Sequence, residues 1–455
     1  MLARPLAALF VLGMMSSCAS SRSWATGSPS SPSMPGTQPA RVVAIMGGTV
    51  VIGDGSKPIE NGTVVLRDGR ILAAGERVQV PADAQRIDAT GKWVTPGIFA
   101  GFTRVGLVEL DLVESTNDTA AESSAYSAAI DIAPAVDWRA SAIGVSRRSG
   151  VTRALVAPRS GKSLFAGQGA VIDLADDPQV ITRPRAFQFV ELGELGASRA
   201  GGSRAAAHLE LRLALQAAQS AGSEQHAGNS HATGGSRLQR ADIAALVPVA
   251  SGEMPLLAHV ERASDILAAL ELKREFPGLA LVLVGAGEGW MVADRIAAAG
   301  VPVIASALNN LPSRFEMQAA TQSNIGMLHA AGVVVAVGMI DDFDSRQARV
   351  TRQYAGNLVA LSRLPGAVGL QWDQAFAAIT SRVAEIMGLG AEIGSLRPGR
   401  RADVVIWDTD PLELASMPER VLIDGQEQPL RTRQTELRDR YLSPAPSGLP
   451  KAYEP

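Results

Sequence analysis

The sequence predicts an α/β protein, and three observations lead to that fold class. Short β runs separated by Asn-Gly, Asp-Gly and Gly turns occupy residues 41–96, which is typical of a small antiparallel sheet. Short β runs return near the end of the chain, over residues 391–432. Between them, over residues 97–390, apolar strand-like runs alternate with helical patterns, as βα units require.

Composition places the chain among ordinary globular proteins and excludes some partners. Of its 455 residues, 46% are hydrophobic and 19% are charged, and the formal net charge is −3. The charges are interspersed, so we expect no nucleic-acid-binding surface. Cys18 is the only cysteine, which excludes an internal disulfide.

The N-terminus has the pattern of a targeting segment. Arg4 precedes an apolar run from Leu6 to Met15 that is too short to span a bilayer. The following Met15-Ser16-Ser17-Cys18 resembles a bacterial lipobox. This resemblance implies a signal peptide over residues 1–18, lipidation of Cys18 and a membrane anchor in the periplasm of the cell envelope. The alternative is cleavage after Ala19 or Ala25, which would release a free periplasmic protein. Residues 19–40, rich in Ser, Pro and Gly, are expected to be a disordered tether outside the fold.

The stretch Trp93–Leu107 is expected to be the strand that leaves the β-domain and enters the α/β segment. Pro96-Gly97 interrupts two apolar runs that suit buried strands. Phe102 and Arg104 are two residues apart, so on one strand they point to the same side.

The remaining α/β segment is assigned from its apolar runs. We expect strands at residues 150–158, 186–196, 254–260, 279–285, 301–306 and 331–339, with helices at 205–219, 261–276 and 372–389. Ser163–Ile172 is interpreted as a flexible Gly-rich loop. Residues 220–237 form a low-complexity insert whose His226 and His231 either bind a metal loosely or, more simply, lie in a solvated loop.

Two motifs carry a resemblance to a known family. Pro96-Gly97-Ile98-Phe99 and the GSLRPG-x-x-ADVVIW segment at 394–407 are similar to segments of the amidohydrolase superfamily, in its imidazolonepropionase-like branch. The resemblance implies a (β/α)₈ TIM-type barrel over residues 97–390. It also implies a small composite β-sandwich domain, formed from residues 41–96 and 391–432, beside the barrel. Asp403 in the second motif is expected to be structural.

The first barrel strand departs from the family at its metal-binding residues. Members have an Asp-x-His-x-His pattern there, and this chain has Ala100, Phe102 and Arg104 at those positions. A phenyl ring offers no lone pair, and a guanidinium only donates hydrogen bonds. Arg104 should therefore repel a metal ion and hold an anionic group of a ligand, or else serve as a structural ion-pair partner.

The other metal positions are only partly filled. His259 occupies the family's fifth-strand histidine position, and the fourth strand offers Glu191 and Glu194 in place of a lysine. The sixth-strand histidine is missing, although Glu288 is nearby. The resemblance thus allows at most one Zn²⁺-like ion, held by Glu191, His259 and Glu288, or no metal at all. In the latter case His259 would be a hydrogen-bonded pocket residue.

The eighth-strand aspartate, the family's general base, should fall between Met339 and Asp342. Strict alignment places Ile340 on it, and Asp341 follows directly. Asp341 and His259 are therefore the candidate catalytic residues, with Arg104, Phe102 and Glu288 as candidate substrate-binding residues. The alternative for Asp341 is a solvated acidic loop. A second acidic stretch follows the first strand and could face Arg104; it contains Glu109, Asp111, Glu114, Asn117 and Asp118.

Two functions remain open from the sequence. The resemblance implies a hydrolase of carbon–nitrogen bonds other than peptide bonds, acting on small cyclic or linear amides. The replaced histidines favour instead a catalytically inactive module that holds an anionic small molecule at the barrel mouth. Residues 433–455 are interpreted as a tail whose first part is a polar helix that could contact the barrel or a second subunit of a homo-oligomer.

Overall fold

The computed structural model describes residues 42–110, 112–227, 238–307, 309–340 and 346–442. The strands are β1 (Val42–Val50), β2 (Ile59–Arg67), β3 (Arg70–Gly75), β4 (Gln85–Asp88), β5 (Trp93–Pro96), β6 (Ile98–Thr103), β7 (Val151–Val156), β8 (Phe165–Asp173), β9 (Ile181–Glu191), β10 (Leu256–Val260), β11 (Leu281–Gly285), β12 (Val303–Ala305), β13 (Val335–Val337), β14 (Val404–Trp407), β15 (Pro418–Ile423) and β16 (Gln426–Glu427). The helices are α1 (Ser141–Arg148), α2 (Gly193–Arg199), α3 (Arg204–Ala227), α4 (Arg240–Ala250), α5 (Ala263–Glu275), α6 (Ala293–Ala298), α7 (Asn324–Ala330), α8 (Thr351–Leu361), α9 (Trp372–Ala378), α10 (Ser381–Ile386) and α11 (Arg433–Leu442).

The composite β-domain is one sheet drawn from both ends of the chain. Its strand order is β16-β15-β14-β5-β1-β2-β3, with β4 also paired to β1. β5 and β14 join the two pieces as antiparallel neighbours, in a register that places Trp93 opposite Trp407. Val94 and Val404 are fully buried in the core of this domain. The predicted union of two distant segments is therefore confirmed.

The barrel sheet has the order β13-β12-β11-β10-β9-β8-β7-β6. Its two outer strands approach each other where the Met339 amide, just after β13, donates to the carbonyl oxygen of Phe102 at 2.9 Å. Gly101 makes this approach possible, because a Cβ there would lie 2.4 Å from the carbonyl oxygen of Val337. The predicted TIM-type barrel beside a β-domain is confirmed.

One strand of the barrel departs from the predicted alternation. The Gly-rich segment predicted as a flexible loop is strand β8, which is buried throughout and antiparallel to both β7 and β9. Its glycines leave room for the neighbouring strand, since a Cβ on Gly169 would lie 2.0 Å from Cζ of Phe187. The loop interpretation was wrong because these glycines serve close packing rather than turns.

Two helical predictions also change in detail. The segment expected to close the barrel as one helix is divided into α9 and α10 at Ile379-Thr380. The break frees the Ile379 carbonyl oxygen, which accepts a hydrogen bond from the Phe99 amide of β6 at 2.9 Å. The low-complexity insert is partly helical, since α3 continues to Ala227.

Barrel and β-domain are joined by a buried charge network around Arg153 of β7. Its Nε donates to Oδ2 of Asp403 at 2.7 Å, and its Nη2 donates to Oδ1 of Asp403 at 3.1 Å and to Oδ1 of Asp424 at 2.9 Å. Nη1 donates to the hydroxyl oxygen of Thr182 at 2.7 Å. Arg153 is 1% exposed. The expected structural role of Asp403 is confirmed.

Several predictions fall outside the described residues. They concern the signal peptide and tether with Cys18, the side chains of His226 and His231, Asp111, Asp341 and the end of the tail after Leu442. The polar helix predicted in the tail is α11. Among the residues that the structure describes, the helices are all too short or too polar to span a membrane.

Candidate functional site

A cavity of about 410 Å³ opens at the carboxyl ends of barrel strands β6, β9 and β10. In TIM barrels this end of the sheet carries the chemistry, because several strands and their loops converge there. The cavity is lined by side chains that the sequence analysis singled out, namely Phe102, Arg104, Glu191, Glu194, His259 and Ile340.

Phe102 and Arg104 lie together at the end of β6, on the shared side that their spacing predicts. The ring of Phe102 packs edge-on against Phe189, with centroids 5.1 Å apart. The guanidinium carbon of Arg104 lies 5.9 Å from the centroid of the Phe102 ring, and Arg104 is 5% exposed. An aromatic wall and a cation thus line this side of the cavity, and neither side chain offers a lone pair to a metal ion.

His259 is held between two carboxylates. Its Nδ1 lies 2.6 Å from Oε2 of Glu191, and its Nε2 lies 2.9 Å from Oε1 of Glu261. The three side chains are buried. Glu261 is fixed in turn by the Gly287 amide, which donates to its Oε2 at 2.7 Å. The sequence analysis missed Glu261, although its spacing of two residues from His259 was visible.

The two carboxylates beside His259 determine the protonation state of its imidazole ring. Burial by itself lowers the pKa of the imidazole, but the charges and hydrogen bonds of Glu191 and Glu261 outweigh it and raise the pKa well above its usual value of 6.5. His259 is therefore an imidazolium at neutral pH, and both ring nitrogens donate.

The arrangement does not fit the metal that the resemblance allowed. A histidine ligand needs a lone pair on one nitrogen, and both nitrogens of His259 are committed to carboxylates. Glu288, the proposed third ligand, accepts instead from the backbone amides of Ala263 at 3.0 Å and Ala319 at 3.1 Å. Across the described ranges, no group of three or more His, Cys, Asp or Glu side chains is placed to hold a metal ion.

The same contacts bear on two predicted roles. Glu288 ties together two loops and does not line the cavity, so it is a structural residue rather than a substrate-binding one. Both ring nitrogens of His259 contact carboxylates in this arrangement, which favours a role in positioning Glu191. The carboxylate of Glu109 also has a structural partner. It accepts a hydrogen bond from the backbone amide of Ser141, at the start of α1, at 2.7 Å. Asp341 follows Ile340, which lines the cavity, but its own position lies outside the described residues.

Three further arginines line the cavity beside Arg104, and the sequence analysis missed all of them. Arg159 follows β7, Arg199 ends α2, and Arg314 lies after β12. Among the described residues that line the cavity, four guanidinium groups and the imidazolium of His259 outnumber two carboxylates, those of Glu191 and Glu194. This described part of the lining is therefore positively charged and suited to an anionic group.

Stability should depend on pH through His259. Its pKa is raised in the folded state, so its stabilising contribution is fully present below pH 6.5 and is lost as pH rises towards the folded-state pKa. We expect the free energy of unfolding to fall by up to about 1.4 kcal/mol per pH unit above pH 6.5. Urea denaturation between pH 6 and 9 measures this. His259→Gln should lack the slope, and equal slopes in the two proteins would contradict the assignment.

Comparisons with known proteins agree with the fold. A model of the amidohydrolase family matches residues 276–427. The chain is 25% identical over 429 residues to amidohydrolase tasK of Hapsidospora irregularis, covering 87% of this chain but only 42% of that protein. It is 24% identical over 379 residues to imidazolonepropionase of Acidiphilium cryptum, covering 78% of this chain and 89% of that protein. Among solved structures, an amidohydrolase from Thermotoga maritima superposes with a TM-score of 0.75 at 23% identity, covering 85% of this chain and 99% of the other.

Proposed function

Because this chain belongs to the amidohydrolase superfamily, in its imidazolonepropionase-like branch, we propose that it hydrolyses carbon–nitrogen bonds other than peptide bonds in small amides that carry an anionic group. The observation that carries the proposal is the arginine-lined cavity at the carboxyl ends of the barrel strands. A cyclic or linear amide is the substrate class that the family supports, and the positive charge of the cavity selects its anionic members.

The side chains of the cavity divide into an apolar wall and a set of donors. Phe102 and Phe189 supply a surface on which the carbon skeleton of a substrate can pack. Arg104 and the neighbouring guanidinium groups can donate to an anionic group or to the carbonyl oxygen, where negative charge develops when water attacks. The carboxylate of Glu191 is oriented by His259, whose Nδ1 lies 2.6 Å from its Oε2.

Amide hydrolysis also needs a base that takes a proton from the attacking water. Asp341 remains our prediction for this base. It follows Ile340 in the sequence, and Ile340 lines the cavity. No step is assigned to a metal ion, since the described donors do not fit one.

The alternative is that the cavity binds an anionic small molecule without turning it over. The observation that favours it is the absence of lone-pair donors at Phe102 and Arg104, combined with the engagement of both nitrogens of His259. In that case the barrel mouth serves as a recognition site and the fold alone confers no activity.

One experiment separates the two functions. The purified protein is incubated with panels of N-acyl amino acids, lactams and hydantoins, and product formation is followed by mass spectrometry. A hydrolase turns over at least one anionic compound. Asp341→Asn then lowers kcat by roughly 10²–10⁴-fold, and Arg104→Gln raises KM. Binding in calorimetry without any product supports the binding module, and neither binding nor product would contradict both functions.

We also propose that the protein is located in the bacterial cell envelope, anchored in a membrane through a lipid on Cys18. The support is the lipobox-like Met15-Ser16-Ser17-Cys18 after an apolar run. Cys18→Ala should move the protein from the membrane fraction to the soluble periplasmic fraction in cell fractionation. An unchanged distribution would contradict the anchor.

A further inference from the structure

A second, smaller cavity of about 200 Å³ lies beside the barrel mouth. Arg199, at the end of α2, lines both cavities. The loop between β7 and β8 also contributes to both. Its Arg159 and Ser160 line the barrel mouth, and its Gly161, Lys162 and Ser163 line the second cavity. The two spaces are therefore neighbours that share a guanidinium group and one loop.

Two polar atoms at this junction lack a partner. The hydroxyl oxygen of Ser160 and the Nε of Arg199 are buried and make no hydrogen bond within the described part of the chain. Ser160 is fully buried. An unsatisfied buried polar group costs about 1–3 kcal/mol, and native proteins contain few of them. An anionic group bound at this junction can accept from the guanidinium of Arg199, which lines both cavities.

The charges around the second cavity favour an anion. Lys162 and Arg199 supply two cations. Of the two acidic residues in its lining, Asp242 is already committed, since its Oδ1 accepts from the Ser127 and Ala129 amides at 2.9 Å each. The other is Glu210. A carboxylate group of a ligand would meet cations on the loop and on α2, and a neutral group of the same size would not.

We propose that Arg199 and the loop at residues 159–163 form a second binding subsite, which holds a carboxylate at the far end of an elongated substrate. The amide of that substrate lies in the barrel mouth, so this inference rests on the proposed function. The substrate class is an N-acyl amino acid whose acyl chain itself ends in a carboxylate.

The test compares two compounds that differ only at that end. N-glutarylglycine ends its acyl chain in a carboxylate, whereas N-valerylglycine ends it in a methyl group. Calorimetry with the full protein should give N-glutarylglycine a Kd about tenfold lower. Arg199→Gln should remove this preference, and it should also weaken the binding of N-valerylglycine because Arg199 lines the barrel mouth as well. Lys162→Gln, an exposed substitution at a residue that lines only the second cavity, should reduce the preference while leaving the Kd of N-valerylglycine within about twofold.

Arg212→Gln is the matched control, because Arg212 lies on α3 and pairs with Glu275 away from both cavities. It should keep the tenfold preference. Equal affinities in the unmodified protein, or a preference that survives both Arg199→Gln and Lys162→Gln, would overturn the subsite. The ratio of affinities is measured whether or not either compound is hydrolysed. Binding with the expected ratio but no product would therefore reject the hydrolase and retain the subsite.

Discussion

Replacing His259 with alanine is expected to lower the free energy of unfolding by about 3–5 kcal/mol at pH 7. The imidazolium lies between Glu191 and Glu261, at 2.6 and 2.9 Å. Its removal leaves two buried carboxylates facing each other without a cation. One of them must then take up a proton or draw water into the barrel, and both responses reduce stability. Urea denaturation followed by circular dichroism measures the change.

The half-buried His329 on α7 provides a matched control. It has no carboxylate partner that raises its pKa, and burial lowers the pKa of this imidazole instead. His329→Ala should therefore change the free energy of unfolding by less than about 1 kcal/mol. Glu261→Gln combined with His259→Ala should recover part of the loss, because it removes one of the uncompensated charges. A loss below 1 kcal/mol in His259→Ala would show that the carboxylates do not depend on this cation.

The same triad shows how this barrel can bury the carboxylates of Glu191 and Glu261 around one imidazolium. In a metal site, the cation offsets the cost of burying carboxylates. Here a proton on His259 supplies that positive charge, and the two short hydrogen bonds satisfy the imidazolium. Phe102 and Arg104 are consistent with this arrangement, since neither can donate a lone pair. The arginines that line the cavity add positive charge beside this triad.

The fold was predictable because its signals are local. The order of residues alone shows the Pro96-Gly97 break between β5 and β6. It also shows the GSLRPG-x-x-ADVVIW segment, which ends in β14. Strand β8 was not predicted because glycine usually favours turns. The sequence does not show that a neighbouring strand packs closely against these glycines. The need for glycine at position 169 arises only when the ring of Phe187 lies across it.

The site was predictable only in part, for a similar reason. Strand positions such as Phe102, Arg104 and His259 follow from register, so they fall at the barrel mouth as expected. Arg159, Arg199 and Arg314 reach the same cavity from loops or a helix end, and no spacing rule connects them. Glu288 follows a barrel strand closely in the sequence. Its carboxylate nevertheless accepts hydrogen bonds from two backbone amides, so it has a structural role.

Arg153→Met is expected to destabilise the protein by about 3–5 kcal/mol, the cost of breaking a buried ion pair from one side. The guanidinium reaches Asp403 and Asp424 of the β-domain from strand β7 of the barrel. Without it, Asp403 remains 5% exposed with its charge uncompensated. The unfolding midpoint in urea should fall, and the loss should appear in both domains together because the network lies between them.

The exposed pair of Arg420 and Glu427 provides the control, at 3.5 Å on the surface of the same β-domain. Arg420→Met should change stability by less than about 1 kcal/mol, since exposed pairs contribute little. Adding Asp403→Asn to Arg153→Met should restore part of the loss, because the buried charge disappears while the amide oxygen can still accept from the Asp424 backbone, now 3.0 Å away. If the double variant were no more stable than Arg153→Met, the cost would come from lost packing of the arginine stem rather than from the unpaired carboxylate.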